Sequence, residues 1–238
     1  MKRSKNLRWG LTGFCLLTAV GLLTLSFHHG QLAQAQDAES AEAGEVRAAN
    51  LIYGTNRTSV CFADQFLTDV EAQTNIKTNR RFFPVQMESE ELFEYPFAVM
   101  TGEGAFTLSQ AQRDTLKDYL NYGGFVIASA GCSSRPWNES FRREMQTMFP
   151  EAELAVLDAD HAIYHTVYDI SSSRYKRGET KLPELYAMQL EGRVVMVWSP
   201  DGLNDSSNAG PNCCCCGGNE VKSAKQLNVN ILAYALTH

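Results

Sequence analysis

Past residue 50 the chain alternates between short apolar runs and amphipathic stretches, and this alternation limits the fold more than any other feature. Phe97-Ala98-Val99-Met100 carries no polar side chain, and Phe125 to Ala130 carries only Ser129. Unbroken apolar runs of that length suit strands buried on both faces, as in a parallel sheet. Between them, Ser109 stands where a helix cap belongs, Leu116, Tyr119 and Leu120 recur at helical spacing, and Gly123-Gly124 ends the element. Asn50 to Tyr53 predicts a first strand. Asp64 to Ile76 predicts a helix, with Phe66, Leu67 and Val70 on its apolar side. Arg81 to Val85 predicts a second strand, which Pro84 confines to an edge or a strand end. Asn138 is the expected cap of a helix from Glu139 to Met148, closed by Pro150. Leu185 to Leu190, Glu191-Gly192 and Val194 to Trp198 predict a hairpin. Glu220 to Leu236 predicts a closing helix striped by Val221, Ala224, Leu227, Ile231 and Leu232. The expected fold is α/β with three layers: a mostly parallel sheet, helices on both faces, a C-terminal hairpin and a closing helix.

The first 35 residues have another character. Lys2, Arg3, Lys5 and Arg8 form a basic head, Leu11 to Phe27 an apolar run of about 17 residues, and Ala33-Gln34-Ala35 a small-x-small exit. This is the pattern of a signal peptide over residues 1–35, and it predicts a periplasmic or secreted protein. The alternative is an uncleaved membrane anchor, because the run is close to the ~18 apolar residues of a spanning helix. Phe14 is too bulky for lipoprotein processing at Cys15. Cleavage removes four basic residues, so Lys+Arg falls from 21 to 17 against 27 acids, and the net charge moves from -6 to -10. Such a surface argues against nucleic acid or anionic lipid as the main partner. Residues 36–49, rich in Ala and Glu, are expected to form an acidic linker. Residues 50–238 are expected to form one domain.

The chain has seven cysteines, four of them consecutive: Cys213, Cys214, Cys215 and Cys216, followed by Gly217-Gly218. Without the leader, Cys61 and Cys132 are the other two. Export favours disulfides, and six cysteines allow 15 full pairings. A bond between sequence neighbours strains its peptide, so Cys213 with Cys216, or either with Cys61 or Cys132, is the better expectation. The same thiolates, joined by Cys132 or a histidine, could instead hold zinc or copper(I).

Several strings carry a family resemblance. They are Phe93-Glu94-Tyr95-Pro96-Phe97 leading into Met100-Thr101-Gly102-Glu103-Gly104, Tyr119 to Phe125 leading toward Cys132, and Phe141 to Met145. His161-Ala162-Ile163-Tyr164-His165 and Asn228 to Thr237 complete the set. In order and spacing they resemble the domain-of-unknown-function family 4159 from about residue 50 onward. The resemblance implies a fold like that of class I glutamine amidotransferases, of the flavodoxin-like kind. It implies no particular reaction. Members often have two aspartates where Ala130-Gly131 stand here, and many have His in place of Glu103. Ala130 and Ser134 also replace the glycines of a Gly-x-Cys-x-Gly elbow, so glutamine amidotransferase activity is not expected.

The remaining candidates cluster at expected strand ends, where α/β sheets bind ligands. Cys132 follows an apolar strand and is either a nucleophile needing a base or a structural or ligand-contacting residue. Thr101, Gly102, Glu103 and Gly104 could form a backbone anion nest or a plain tight turn. His161 and His165, with Asp158 and Asp160 before them, have metal-ligand spacing on a helix and share a face on a strand. The flanking Ile163, Tyr164, Val167 and Tyr168 favour the extended form. Arg142 and Arg143 are neighbours on a helix and point different ways. The first expectation is a non-catalytic module that binds a small molecule or an envelope protein over Thr101–Gly104, Cys132, Ser133 and His161. A second is a metal- or thiol-dependent enzyme using Cys132, His161 or His165 in that crevice. A third is a structural envelope protein.

Overall fold

A computed structural model describes residues 44–54, 61–209, 213 and 220–238. In chain order these form β1 (Glu45–Ile52), α1 (Gln65–Gln73), β2 (Lys77–Gln86), β3 (Phe97–Gly102), α2 (Gln110–Asn121), β4 (Phe125–Ala130), α3 (Arg135–Met148) and β5 (Leu154–Val156). The small pair β6 (Ser173–Arg174) and β7 (Thr180–Lys181) follows, then β8 (Tyr186–Leu190), β9 (Arg193–Ser199) and α4 (Ala224–Thr237). The main sheet has the order β2-β1-β3-β4-β9-β8-β5. Its first five strands are parallel, β8 is antiparallel to β9, and β5 is antiparallel to β8.

The alternation of side chains along each strand divides the core. Ala98, Met100, Val126, Ala128 and Trp198 point to one face and pack on α2 and α3 through Leu116, Leu120, Trp137, Phe141 and Met145. Phe97, Val99, Phe125, Ile127 and Val197 point to the other face and pack on α1 and α4 through Phe66, Val70, Leu227 and Ile231. Helices therefore cover both faces, and the fold is α/β with a mostly parallel sheet.

Local signals explain most boundaries. The Ser109 side chain accepts from Gln112 N, and the Gln112 side chain answers to the Ser109 backbone, a complete capping box. Gly123 follows α2 with φ 109°, a conformation glycine adopts freely. Glu191 (φ 52°) and Gly192 (φ 81°) make the two-residue turn between β8 and β9, with both central residues left-handed as tight hairpins require. Strand β2, which carries Pro84, lies at the sheet edge.

Other boundaries differ from expectation. Strand β1 begins at Glu45, five residues before Asn50, because Glu45 to Ile52 pair along β2. Residues 45–49, expected in the linker, are therefore sheet, and Ala48 and Ala49 are small enough to hide the strand signal. Helix α3 starts at Arg135, capped by Ser134, with a proline in its first turn where the missing N–H is harmless. Asn138 is free for other bonds. Helix α4 starts at Ala224, since Val221 is engaged in a bridge with Tyr175. The segment Ala162–Tyr164 is a 3-10 turn between His161 and His165, not a strand, because Thr166 Oγ1 and the His165 N–H both fold back onto Ala162 O. The leader over 1–35 and the start of the expected linker lie outside the described residues.

Candidate functional site

The chain leaves β1 for β2 on one side and returns to β3 on the other, so the sheet's switch point lies between the carboxyl ends of β1 and β3. Open α/β sheets bind ligands at such points. Here the point is filled. Tyr53, just after β1, donates its hydroxyl proton to Thr101 O (3.0 Å) and accepts from Trp137 Nε1 (2.6 Å). Burial pushes the Tyr53 hydroxyl pKa far above its ordinary value, so it stays protonated. A Cβ on Gly102 would lie 2.8 Å from Tyr53 Oη and 2.9 Å from Trp137 Nε1, so only glycine lets β3 end against this pair.

The Thr101–Gly104 turn lies beside the plug. Thr101 is buried, and its Oγ1 has no hydrogen-bond partner among the described residues. The Gly104 N–H, expected to face a ligand, donates to Ser134 Oγ (3.1 Å) and ties the turn to the cap of α3. Glu103 is exposed at the rim and leans over Gly131, where a Cβ would come within 2.6 Å of its Cγ. Its Oε1 stands 3.8 Å from Cys132 Sγ.

Cys132 sits at the end of β4 in a left-handed conformation (φ 52°, ψ 36°), and Ser133 follows with φ 53°. Two successive non-glycine residues there carry backbone strain. The elbow is held by Ser133 Oγ, which donates to Asp201 O (2.9 Å), and by Ser134 N, which donates to Gly131 O (3.0 Å). Cys132 is disulfide-bonded, so in this state it is no nucleophile. Cys61 and Cys213 form a second disulfide across 152 residues of sequence, with Cα atoms 5.0 Å apart. They bond to each other, so the partner of Cys132 lies outside the described residues, as do Cys214, Cys215 and Cys216. The disulfide also removes Cys213 as a thiolate ligand for zinc or copper. Among the described residues, no three His, Cys, Asp or Glu side chains converge as a metal would require.

The two histidines do not reach this place. His165 Nδ1 meets Asp169 Oδ1 (2.6 Å) and its Nε2 meets Ala159 O (2.8 Å), so both ring nitrogens face acceptors. The contact with Ala159 O, then that with Asp169, raises its pKa. His161 Nδ1 accepts from Ile163 N (3.2 Å), and its ring packs 5.5 Å from that of Tyr234. Burial lowers its pKa. Asn228 of α4 reaches the loop after β9, but Tyr234 is six residues further on, about 9 Å along a helix. The crevice expected to join His161 and His165 to Cys132 is thus not formed. Arg142 lies over the Trp198 ring (4.7 Å), and Arg143 donates to Phe106 O (2.7 Å).

The loop after β9 is a part of the site that sequence reasoning missed. Pro200 O accepts from Asn138 Nδ2, Asp201 Oδ2 from Tyr175 Oη, Leu203 N donates to Ser129 Oγ, and Leu203 O accepts from Asn228 Nδ2. Asp201 and burial together keep the Tyr175 hydroxyl protonated, with burial the larger cause. A Cβ on Gly202 would stand 2.2 Å from Ala130 O, so the loop lies directly on the end of β4. Between them remains a cavity of about 10 Å³, bordered by Cys61, Ala130, Cys132, Asp201, Asn204 and Glu220. That is room for about one water. The pattern Ser-Pro-Asp-Gly after an apolar strand signals a turn, but its anchors come from four distant segments.

The family model for a domain of unknown function, DUF4159, matches residues 47–236. No curated protein matches the chain. Among solved structures, a ThuA-like protein from Bacteroides uniformis is 12% identical, with 82% of this chain and 93% of that chain covered and a TM-score of 0.42. A cytoplasmic protein from Salmonella typhimurium is 9% identical, with 79% and 98% covered and the same TM-score of 0.42.

Proposed function

Because the chain belongs to the DUF4159 family, which brings no activity with it, we propose a role from the geometry: an exported, non-catalytic module that binds its partner over the carboxyl ends of β3 and β4. The observation that carries this reading is the state of Cys132. It is oxidised, its neighbour Glu103 is a carboxylate, and both histidines are committed to bonds of their own. A thiol enzyme needs a free sulfur with a base in hydrogen-bond reach. What remains at the rim is a fixed surface of Glu103, Gly104, Ser133 and Asp201, held by disulfides and by hydrogen bonds that cross the loop. Fixed surfaces suit recognition because little ordering is needed on binding. The cavity beneath is too small for a ligand, so the contact surface is the rim itself.

Export is supported by the leader pattern and by the disulfides, which persist in oxidising compartments. No helix among the described residues is long and apolar enough to cross a membrane.

Alkylation of the native, aerobically purified protein followed by peptide mapping tests the reading. Cys132 is expected to stay unlabelled until reductant is added. Stoichiometric labelling of Cys132 without reductant, or turnover of a thioester or amide lost in Cys132→Ser, would transfer the function to thiol catalysis. N-terminal sequencing of the protein recovered outside the cytoplasm tests export, with Gln36 as the expected first residue. An intact Met1 in the cytosolic fraction would overturn it.

A further inference from the structure

On its α2/α3 face the sheet extends past the helices. Helix α3 reaches as far as Trp198 of β9, against which Phe141 packs at 5.4 Å. The sheet continues two strands further, to β8 and β5. Leu154 of β5 is in register with Met188 of β8, and Met188 with Met196 of β9, so the three side chains point to this same face. Between α3, β8 and β5 lies a cavity of about 240 Å³. Pockets for drug-sized ligands begin at about 300 Å³, so this one suits a smaller molecule. Met196 is also in register with Val126, near the start of β4, so the cavity and the rim belong to opposite ends of the strands.

The cavity's walls sort by polarity. Met145 and Met188 are buried, and with half-buried Leu154 they form its floor. Arg142 and Glu153 are exposed and stand at its mouth. Two aromatic rings hold the Arg142 guanidinium, Trp198 at 4.7 Å and Tyr186 at 5.5 Å, and it also meets the Tyr186 hydroxyl. A guanidinium stacked this way presents its donors in a fixed direction. The neighbouring charges are already used. Arg135 pairs with Glu139, Arg113 and Arg143 share Glu144, and Glu184 accepts from the Tyr186 hydroxyl (2.7 Å). Among the described residues, Arg142 and Glu153 form no ion pair, with each other or with a third group.

We propose that this cavity binds a free α-amino acid with an apolar side chain. The carboxylate meets Arg142, the ammonium meets Glu153, and the side chain enters between Met145, Met188 and Leu154, where thioethers adapt to its shape. A simple apolar acid would set its carboxylate near Glu153, and a simple amine would set its charge near Arg142. The zwitterion uses both. Both charges are exposed to water, so the affinity is modest, with a Kd of order 1 mM. This goes beyond the role of the rim, and neither reading depends on the other.

The test uses the mature chain with isotope-labelled methionine methyls, and L-leucine and L-phenylalanine as probes. The NMR signals of Met145 and Met188, assigned through Met145→Leu and Met188→Leu, are expected to shift saturably. Those of Met87 and Met100 are expected to stay in place. The amide of the bound amino acid, which lacks the carboxylate, is expected to bind about tenfold more weakly, and its N-acetyl derivative, which lacks the ammonium, about threefold. Arg142→Gln and Glu153→Gln, both at exposed positions, are expected to reproduce these two losses with an unchanged circular dichroism spectrum. The proposal is overturned if neither amino acid moves the two signals up to its solubility limit. It is also overturned if the N-acetyl derivative binds as tightly as the amino acid, which would make this a site for simple acids, or if the amide does. Should Arg142→Gln unfold, the two analogues decide on the wild-type chain.

Discussion

The two faces of the sheet end differently at its carboxyl side. On the α2/α3 face the last layer is aromatic. Tyr53 and Trp137 bond each other, Trp137 stacks on Phe141 at 5.2 Å, and Phe141 packs on Trp198 at 5.4 Å. On the α1/α4 face the last layer is polar. Thr101 of β3 is in register with Ser129 of β4, and Ser129 with Ser199 of β9, so three hydroxyls cross three strands in a row. Ser129 and Ser199 hold the loop above them through Leu203 N and Gly202 N. Thr101 Oγ1 and Asn228 Oδ1 have no hydrogen-bond partner among the described residues. One face is closed by packing. The other is fastened by hydrogen bonds and by the disulfide that joins Cys61, ahead of α1, to Cys213, ahead of α4. Packing alone closes the first face at its strand ends, whereas the second also depends on single named bonds that can be removed one at a time by substitution.

The sharpest way to break this contrast is on the aromatic face. Trp137→Ala removes one of the two buried tryptophans there and takes from the Tyr53 hydroxyl its donor, leaving only its bond to Thr101 O. It is expected to cost about 3–5 kcal/mol in denaturant unfolding. A loss under about 1 kcal/mol would mean that packing does not close this face. Next comes the covalent fastening. The double variant Cys61→Ser, Cys213→Ser is expected to lose about 2–5 kcal/mol, and the reduced wild type, which also lacks the Cys132 bond, at least as much. A clearly larger loss in the variant would point to damage other than the missing bond.

The hydroxyl row gives a finer test, because two of its members should respond in opposite directions. Ser129→Ala leaves the buried Leu203 N–H without an acceptor and is expected to cost about 1–3 kcal/mol. Thr101→Val removes a hydroxyl that has no partner among the described residues, and is expected to be neutral or to stabilise by up to about 1 kcal/mol. If Thr101→Val destabilised as much as Ser129→Ala, the row would hold an ordered water, and the polar face would be wet beneath its loop.

The two faces were not equally legible in the sequence. Elements built on unbroken or periodic apolar residues could be read directly: β3 and β4 from their runs, α2 from Ser109 to Gly123, and the hairpin from Glu191-Gly192. The first half of β1 could not, because alanines and charged residues fill it and its signal lies in pairing with β2. Asn138 is a good cap in isolation, so the sequence points to a start for α3 four residues beyond Ser134, the cap that acts ahead of the proline in its first turn. Within the site, the cysteines announced sulfur chemistry, but only the topology brings Cys61 to Cys213 across 152 residues. The hydroxyl row escaped notice altogether. Thr101, Ser129 and Ser199 are ordinary strand residues until the register aligns them. The histidine spacing fitted both a helix and a strand, and the chain uses neither, since a 3-10 turn lies between them.

That turn carries the smallest expected effect, and it lies on the α1/α4 side, under the last turn of α4. His165 faces two acceptors, Asp169 Oδ1 and Ala159 O, and only the doubly protonated ring can donate to both. Its pKa is raised in the folded state. Its contribution to stability is therefore complete below the ordinary histidine value of ~6.5 and is lost as the pH rises through the folded value. His161 accepts from Ile163 N and must be neutral to do so, and its pKa is lowered. Its contribution is complete above ~6.5 and is lost as the pH falls through its folded value. Ring-proton NMR should show His165 titrating above ~6.5 and His161 below it. His165→Gln should flatten the alkaline side of the stability profile and leave the acid side as it was. If both rings titrated together, the turn would be solvated and loosely held, and the bonds fastening the α1/α4 face would stop at the strand ends and not continue along α4.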